Sequence, residues 1–125
     1  MSKLRIPQIV EAKTSAYTVT DSDFGKLLTN RGASASVTFT LPTATAANSG
    51  CWVEFYTCAA QPIVLSPATA DTLVVHADLT ADTLTTASTI GQHLTTVSDG
   101  TGWLVISDPS AATTATAVTA VVLAS

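Results

Sequence analysis

The chain has 125 residues, which suffices for one domain with a hydrophobic core of its own. Only 11% of the residues are charged, against roughly 25% in an ordinary soluble domain. Such a surface keeps a monomer in solution poorly, so we expect other protein chains to cover part of it. Threonine is abundant, and its β-branched side chain favours strands over helices.

The charges are divided along the chain. All five basic residues lie within the first 31 positions, and the rest of the chain carries only acidic ones. A weakly basic leading segment on an acidic body predicts docking on an acidic partner, with chance clustering as the alternative. The acidic body would repel phosphates, so nucleic acid is not an expected partner.

The first predicted element is an extended N-terminal arm over residues 1–15. Pro7 blocks a helix there, and the charged residues follow no period. Strands are predicted from Ala16 onward, and the clearest is Ser36–Leu41, whose apolar side chains alternate with hydroxyls. Its inward-facing residues are Val37, Phe39 and Leu41.

A central strand is predicted over Cys51–Thr57, because both of its faces are largely apolar. Cys51 and Cys58 are an odd number of residues apart, which places them on opposite faces and far beyond bridging distance. We therefore expect two free thiols that are at least partly buried.

The remaining chain predicts further strands and one hairpin. Gln92–Ser98 and Trp103–Ser107 face each other across the turn Asp99–Gly102. Turns recur about every ten residues, which is typical of a sandwich or barrel. The sequence Ala70–Leu73 is echoed at Ala81–Leu84, which we interpret as coincidence because a solenoid needs at least three repeats.

The predicted fold class is therefore all-β, a small antiparallel β-sandwich of the jelly-roll-like kind. The sandwich domain spans residues 16–108, preceded by the arm and followed by an Ala/Thr/Val-rich tail over residues 109–125. The tail is predicted either to add a strand within a trimer or on a partner, or to be disordered.

Catalytic patterns are weak. Ser66, His76 and Asp78 could form a triad on paper, but so common a set has almost no specificity. We expect His76 and His93 to lie at the surface or in an interface. We predict no enzymatic activity and no cofactor, because the sequence holds no nucleophile elbow, no histidine pair at zinc spacing and no glycine-rich phosphate loop. We predict no bound metal, because the spacing of Asp71, Asp78 and Asp82 matches no calcium loop.

Two tryptophans, Trp52 and Trp103, are expected in the core or in an interface, and a sugar-binding aromatic surface is the alternative. No secretory signal is visible at the start of the chain, and no stretch is long and apolar enough to span a bilayer. We therefore expect that the protein is made in a cytoplasm and does not associate with membranes.

The strand segments resemble β-modules in virion proteins of tailed bacteriophages, namely capsid decoration (cement) proteins, head fibres and the ends of tail fibres. The segments that carry the resemblance are Tyr17–Thr20, Asp23–Asn30, Val37–Pro42, Gly50 with Trp52–Phe55, Ile63–Leu65 and Ser98–Ile106. The resemblance implies a β-sandwich that trimerises and a structural role without catalysis. Fibre modules usually follow a long shaft, and the short arm here favours the capsid.

We accordingly expect a homotrimeric capsid decoration protein on the virion surface that binds the major capsid protein and stabilises the head shell. The alternative is a tail-fibre or spike tip that binds a host receptor or glycan. The residues expected to contact the capsid lie in the arm: Lys3, Arg5, Ile6, Pro7, Ile9 and Lys13.

Overall fold

The computed structural model describes residues 7–70, 72–75, 78–108 and 121–124. Within these ranges the chain forms strands and two three-residue 3₁₀ turns, Asp21–Asp23 and Ala46–Asn48. The all-β prediction is therefore confirmed, and no described helix is long enough to cross a bilayer. The strands are β1 (Val10–Ala12), β2 (Tyr17–Thr18), β3 (Leu27–Thr29), β4 (Val37–Leu41), β5 (Trp52–Tyr56), β6 (Ile63–Pro67), β7 (Leu73–Val75), β8 (Asp78–Ala81), β9 (Thr83–Thr86), β10 (His93–Ser98), β11 (Trp103–Asp108) and β12 (Val121–Ala124).

Two sheets face each other. One has seven strands in the order β1-β3-β5-β10-β11-β7-β8, and the other has five in the order β12-β9-β6-β4-β2. From β1 to β7 the chain alternates between the sheets, so that β1, β3 and β5 lie parallel in one sheet while β2, β4 and β6 lie parallel in the other. The first half of the chain thus winds like a short solenoid.

The strand pairing differs from the antiparallel, jelly-roll-like arrangement that we predicted. Among the described strand pairs, five are parallel and five are antiparallel. Alternation of apolar and polar residues specifies the face of a strand but not its direction. Here Val10, Leu27 and Glu54 lie in register across three parallel strands, although unequal lengths of chain separate them. Because the spacing is unequal, the repeat of parallel strands is not visible as a period in the sequence.

The core lies between the sheets and is built by the alternation expected from the sequence. Val37, Phe39 and Leu41 on β4 are fully buried, as predicted. Phe39 meets Phe55 of the opposite sheet with ring centroids 5.0 Å apart. Trp103 is also fully buried, and its indole Nε1 donates a hydrogen bond to the Pro42 carbonyl at 2.6 Å.

Within the segment predicted as an arm, β1 forms one edge of the seven-stranded sheet. The Leu27 N–H donates to the Ile9 carbonyl at 2.9 Å, and the Lys13 N–H donates to the Thr29 carbonyl at 2.9 Å. The β-branched Ile9 and Val10 suit this extended pairing. Residues 1–6 lie outside the described residues.

The tail contributes β12, which pairs antiparallel with β9 of its own chain. The predicted strand was one added within a trimer or on a partner, whereas β12 pairs within its own chain; residues 109–120 lie outside the described part of the chain. The two cysteines flank β5, one at each end, and both are free and partly buried. The predicted central position of β5 is confirmed, since it lies between β3 and β10.

Candidate functional site

The outer face of the seven-stranded sheet carries an apolar row. Val97 on β10 is in register with Trp52 on one side and with Leu104 on the other, and Leu104 is in register with Val74. Adjacent strands lie about 4.8 Å apart, so the row extends roughly 14 Å across the sheet. Since every second residue of a strand points away from the core, these four side chains share the outer face.

Three large apolar side chains of this sheet, one of them in the row, are strongly exposed. Trp52 is 39% exposed, Ile106 60% and Val10 58%. Ile106 lies in the neighbouring row of the same face, where it is in register with Thr95, which is in turn in register with Glu54. An exposed apolar area of this kind marks a surface that other molecules cover.

Glu54 is the carboxylate at the centre of this face. It accepts hydrogen bonds from Gln8 Nε2 and from His93 Nε2, each at 2.7 Å. Burial alone would raise the pKa of Glu54, but these hydrogen bonds outweigh it and lower the pKa. The carboxylate is therefore ionised at neutral pH and already has partners, so an apolar partner can cover it without leaving it unsatisfied.

A groove of about 350 Å³ adjoins the apolar row at the point where β1, β3 and β5 begin. Its walls are fixed by backbone contacts, because the Gly25 N–H donates to the Trp52 carbonyl at 2.7 Å and Gln8 Nε2 donates to the Gly25 carbonyl at 3.0 Å. Positive φ (85°) at Gly25 suits the turn that enters β3. The lining residues are Pro7, Gln8, Ile9, Ser22, Phe24, Gly25, Lys26 and Trp52.

A cluster of charged side chains lies beside this groove and ties β1 to the turn before β3. Lys26 Nζ contacts Glu11 at 2.8 Å and Asp23 at 3.0 Å, and Lys13 contacts Glu11 at 3.3 Å. The Tyr17 hydroxyl donates to Asp23 at 2.8 Å, and the Lys13 ammonium lies 4.0 Å from the centre of the Tyr17 ring. These contacts occupy both lysines inside their own chain.

The pKa values follow these contacts. The hydrogen bond from Lys26 lowers the pKa of Glu11, and the bond to Glu11 raises the pKa of Lys26. Burial alone would raise the pKa of Asp23, but hydrogen bonds from the Thr20 N–H, Tyr17 and Lys26 lower it. Both carboxylates are therefore charged at neutral pH, and the cluster contributes to stability rather than to proton transfer.

The residues predicted to bind a capsid are only partly brought together. Pro7 and Ile9 line the groove beside Trp52, whereas Lys13 is held in the charged cluster by Glu11 and Tyr17. Lys13 is thus partly enclosed by groups of its own chain. Lys3, Arg5 and Ile6 lie outside the described residues, and the capsid-binding role of the arm stays a prediction.

The structure describes two of the three residues of the paper triad, and they lie in different sheets. Ser66 lies on β6 of the five-stranded sheet, while Asp78 lies on β8 of the seven-stranded sheet. His76 and Asp71 lie outside the described residues. Within the described chain, no group of three or more His, Cys, Asp or Glu side chains is placed to hold a metal ion.

Sequence reasoning missed the groove and the Glu54–His93 pair. The alternation of Trp52, Glu54 and Tyr56 on one face of β5 is visible in the sequence, but the pairing with His93 depends on strand register. Gln8 and Gly25 meet only because β1 and β3 are parallel neighbours. The Asp23–Lys26 contact, three residues apart, was the one part of the charged cluster that the sequence could have indicated.

In comparisons with known proteins, no protein-family model and no curated protein matches this chain.

Proposed function

We propose that this chain is a non-enzymatic virion structural protein, a homotrimeric capsid decoration protein that binds and stabilises a phage head shell. The observation that carries the proposal is the apolar row formed by Trp52, Val97, Leu104 and Val74 on an outer face. Protein–protein interfaces are richest in such aromatic and aliphatic groups at their centre. The resemblance of the strand segments to decoration proteins supplies the identity of the partner.

The groove residues support a docking role for the start of the chain. Pro7 and Ile9 lie at the edge of the same apolar face, so these two residues and the face would contact one partner together. Three such surfaces on one trimer bind far more tightly than one, because each later contact is intramolecular. A shell built from repeated subunits offers sites at matching intervals.

A capsid-binding assay tests the proposal. The pure protein is mixed with undecorated capsids of the source phage, and bound protein is quantified after sedimentation. We expect saturable binding that Ile106→Asp weakens at least about tenfold, because the carboxylate would be buried against an apolar partner. The matched control is Thr40→Asp on the outer face of the other sheet, which should bind normally. Absence of binding by the intact protein would overturn the decoration role.

A tail-fibre or spike tip that binds a receptor glycan is the second candidate. The observation that favours it is the pair of exposed aromatic residues, Trp52 (39% exposed) and Tyr56 (37%), on the same face of β5 with Glu54 between them. Aromatic rings beside polar groups are a common sugar-binding arrangement. Titration with host surface polysaccharide, followed by tryptophan fluorescence, separates the candidates: a saturable change together with no capsid binding supports the tip.

A further inference from the structure

An ionisable pair lies within the apolar face to which the shell is proposed to bind. On β5, Glu54 lies between Trp52 and Tyr56. Its Oε2 lies 2.7 Å from Nε2 of His93 on β10, whose ring centroid is 6.4 Å from that of Tyr56. Ile106 lies in the row of Glu54. Trp52, Tyr56 and Ile106 thus flank the pair, so a partner that covers these three side chains also covers the pair.

Water reaches both members of the pair in the unbound chain. The side chain of Glu54 is 23% exposed and that of His93 is 30% exposed. When the imidazole is neutral, the pair carries one negative charge, and this water solvates it. An apolar partner displaces the water, and burying a net charge costs far more than burying a neutral, hydrogen-bonded pair. Covering the face therefore favours the form of the pair that has no net charge.

Hydrogen bonds alone do not remove the net charge. The Gln8 amide donates to Glu54 Oε1 at 2.7 Å and satisfies that oxygen without bringing a charge. Burial raises the pKa of Glu54, the hydrogen bonds from Gln8 and His93 lower it, and His93 also lowers it through its charge. Histidine is the side chain that ordinarily changes charge between about pH 5 and 8, so one proton on this pair balances the carboxylate.

Of the described residues in register with the pair, none brings a positive charge. Tyr56 of β5 lies beside His93 on one side, and tyrosine does not ionise in the pH range in which histidine does. Asp108 of β11 is in register with His93 on the other side, and an aspartate at that position also favours a protonated imidazole. On β3, the residue in register with Glu54 is the uncharged Leu27. The balancing charge therefore comes from a proton.

We infer that shell binding is accompanied by uptake of one proton onto the Glu54–His93 pair, so that this face binds more tightly as the pH falls from about 8 to about 6. The proton comes from solvent, forms an N–H or O–H bond within the pair and removes its net negative charge. Because the bound state holds more protons than the free state, affinity rises as the pH falls, by at most about tenfold per pH unit. The inference rests on the proposed capsid role and adds its regulation by pH.

Binding to undecorated capsids at two pH values tests this coupling. For the unaltered protein, the apparent dissociation constant from sedimentation should fall about tenfold between about pH 8 and pH 6. The matched control is the double variant Glu54→Gln/His93→Gln, which has an amide in place of each ionisable group. Titration of the capsid itself affects both proteins alike, so the ratio of their dissociation constants isolates the pair. This ratio should change about tenfold over the same range.

Single substitutions assign the two charges. His93→Gln leaves the Glu54 carboxylate without its balancing proton, so this variant should bind at the lower pH as weakly as the unaltered protein binds at the higher pH. Adding Glu54→Gln should restore binding, which a variant weakened by loss of structure would not show. His76→Gln, at the other histidine of the chain, should keep the full pH dependence. The melting temperature of each variant at each pH confirms that the proteins compared are folded.

Three results overturn the coupling and leave the capsid role standing. A ratio of dissociation constants that is the same at both pH values shows that the pair takes up no proton. Loss of the pH dependence in His76→Gln places the proton on the other histidine. Binding by His93→Gln that follows the unaltered protein excludes His93 as the group that balances Glu54. Absence of binding by the unaltered protein at either pH overturns the capsid role itself.

Discussion

The two outer faces of this molecule differ in chemistry although one chain builds both by the same alternation. On the five-stranded sheet, Thr18, Thr40 and Ser66 form one row across three parallel strands, and Thr38, Val64 and Thr85 form the next. The corresponding rows of the seven-stranded sheet hold Trp52, Val97 and Leu104 instead. One face presents mainly hydroxyls, and the other presents a row of apolar side chains.

The winding of the chain explains how this division arises. Because successive strands from β1 to β7 enter alternate sheets, outward positions of even-numbered strands belong to one face and those of odd-numbered strands to the other. Threonine can therefore be concentrated on β2 and β4 while aromatic residues are concentrated on β5. The faces are separable experimentally, and the following predictions test that separation.

The largest effect is expected where the two sheets meet. Phe39→Ala and Phe55→Ala each remove a fully buried ring, and such changes cost about 3–5 kcal/mol of unfolding free energy. Because the rings are 5.0 Å apart on opposite sheets, the double variant should cost less than the sum of the two. Urea unfolding of all three variants measures this. Additive losses would show that the rings do not interact across the core.

The charged cluster should produce the next largest effect. Asp23 accepts hydrogen bonds from Tyr17, from the Thr20 N–H and from Lys26. Asp23→Ala leaves these donors without their acceptor and should cost about 1–3 kcal/mol. Chemical unfolding at neutral pH measures the loss, and Asp21→Ala on the exposed side of the same turn is the control. Equal losses at Asp21 and Asp23 would contradict the assignment.

The same cluster predicts the pH dependence of stability. The pKa of Asp23 is lowered in the folded protein, so its contribution is complete above the ordinary aspartate pKa near 4. The contribution is lost as the pH falls through the lowered value, since the unfolded chain then binds the proton more readily. Asp23→Asn should therefore flatten the fall in melting temperature below about pH 4. If the melting temperature of Asp23→Asn fell below about pH 4 as steeply as that of the unaltered protein, Asp23 would be excluded as the source of this fall.

The pair on the apolar face should contribute less to stability. Glu54 and His93 are both partly exposed, and partly exposed pairs contribute about 0.2–1 kcal/mol. Glu54→Gln keeps a hydrogen-bond acceptor and should change the melting temperature only slightly. A larger loss of stability on substituting Glu54 than on substituting Asp23 would contradict the prediction that the charged cluster contributes more than this pair. The melting temperatures of Glu54→Gln and Asp23→Asn, measured side by side, give this comparison.

The sequence predicted the composition of the strands better than their arrangement. Alternation identified the inward residues of β4, and the apolar character of both faces identified β5 as central, because burial depends on local pattern. The hairpin of β10 and β11 across Asp99–Gly102 was predicted and is confirmed, because its turn is local. The direction and register of the other strands were not predictable, since they depend on which distant strands meet. The groove and the Glu54–His93 pair depend on register, so they were missed for the same reason.

The smallest effect is expected on the hydroxyl face. Thr40 lies between Thr18 and Ser66, and its side chain is partly exposed on the opposite side of the strand from Phe39. Exposed substitutions away from caps and networks change unfolding free energy by less than about 0.5 kcal/mol. Thr40→Ala should therefore unfold at nearly the urea concentration of the unaltered protein, and it should bind capsids equally well.

Valine at this position sharpens the same test. Thr40→Val keeps the β-branched shape and removes only the hydroxyl, so it separates the loss of a hydrogen-bonding group from the loss of strand propensity. If both substitutions leave stability and capsid binding unchanged, the hydroxyl face serves only to remain in contact with water. If Thr40→Val instead weakens capsid binding while Ile106→Asp does not, the shell is bound by the five-stranded sheet. The roles assigned to the two faces would then be exchanged.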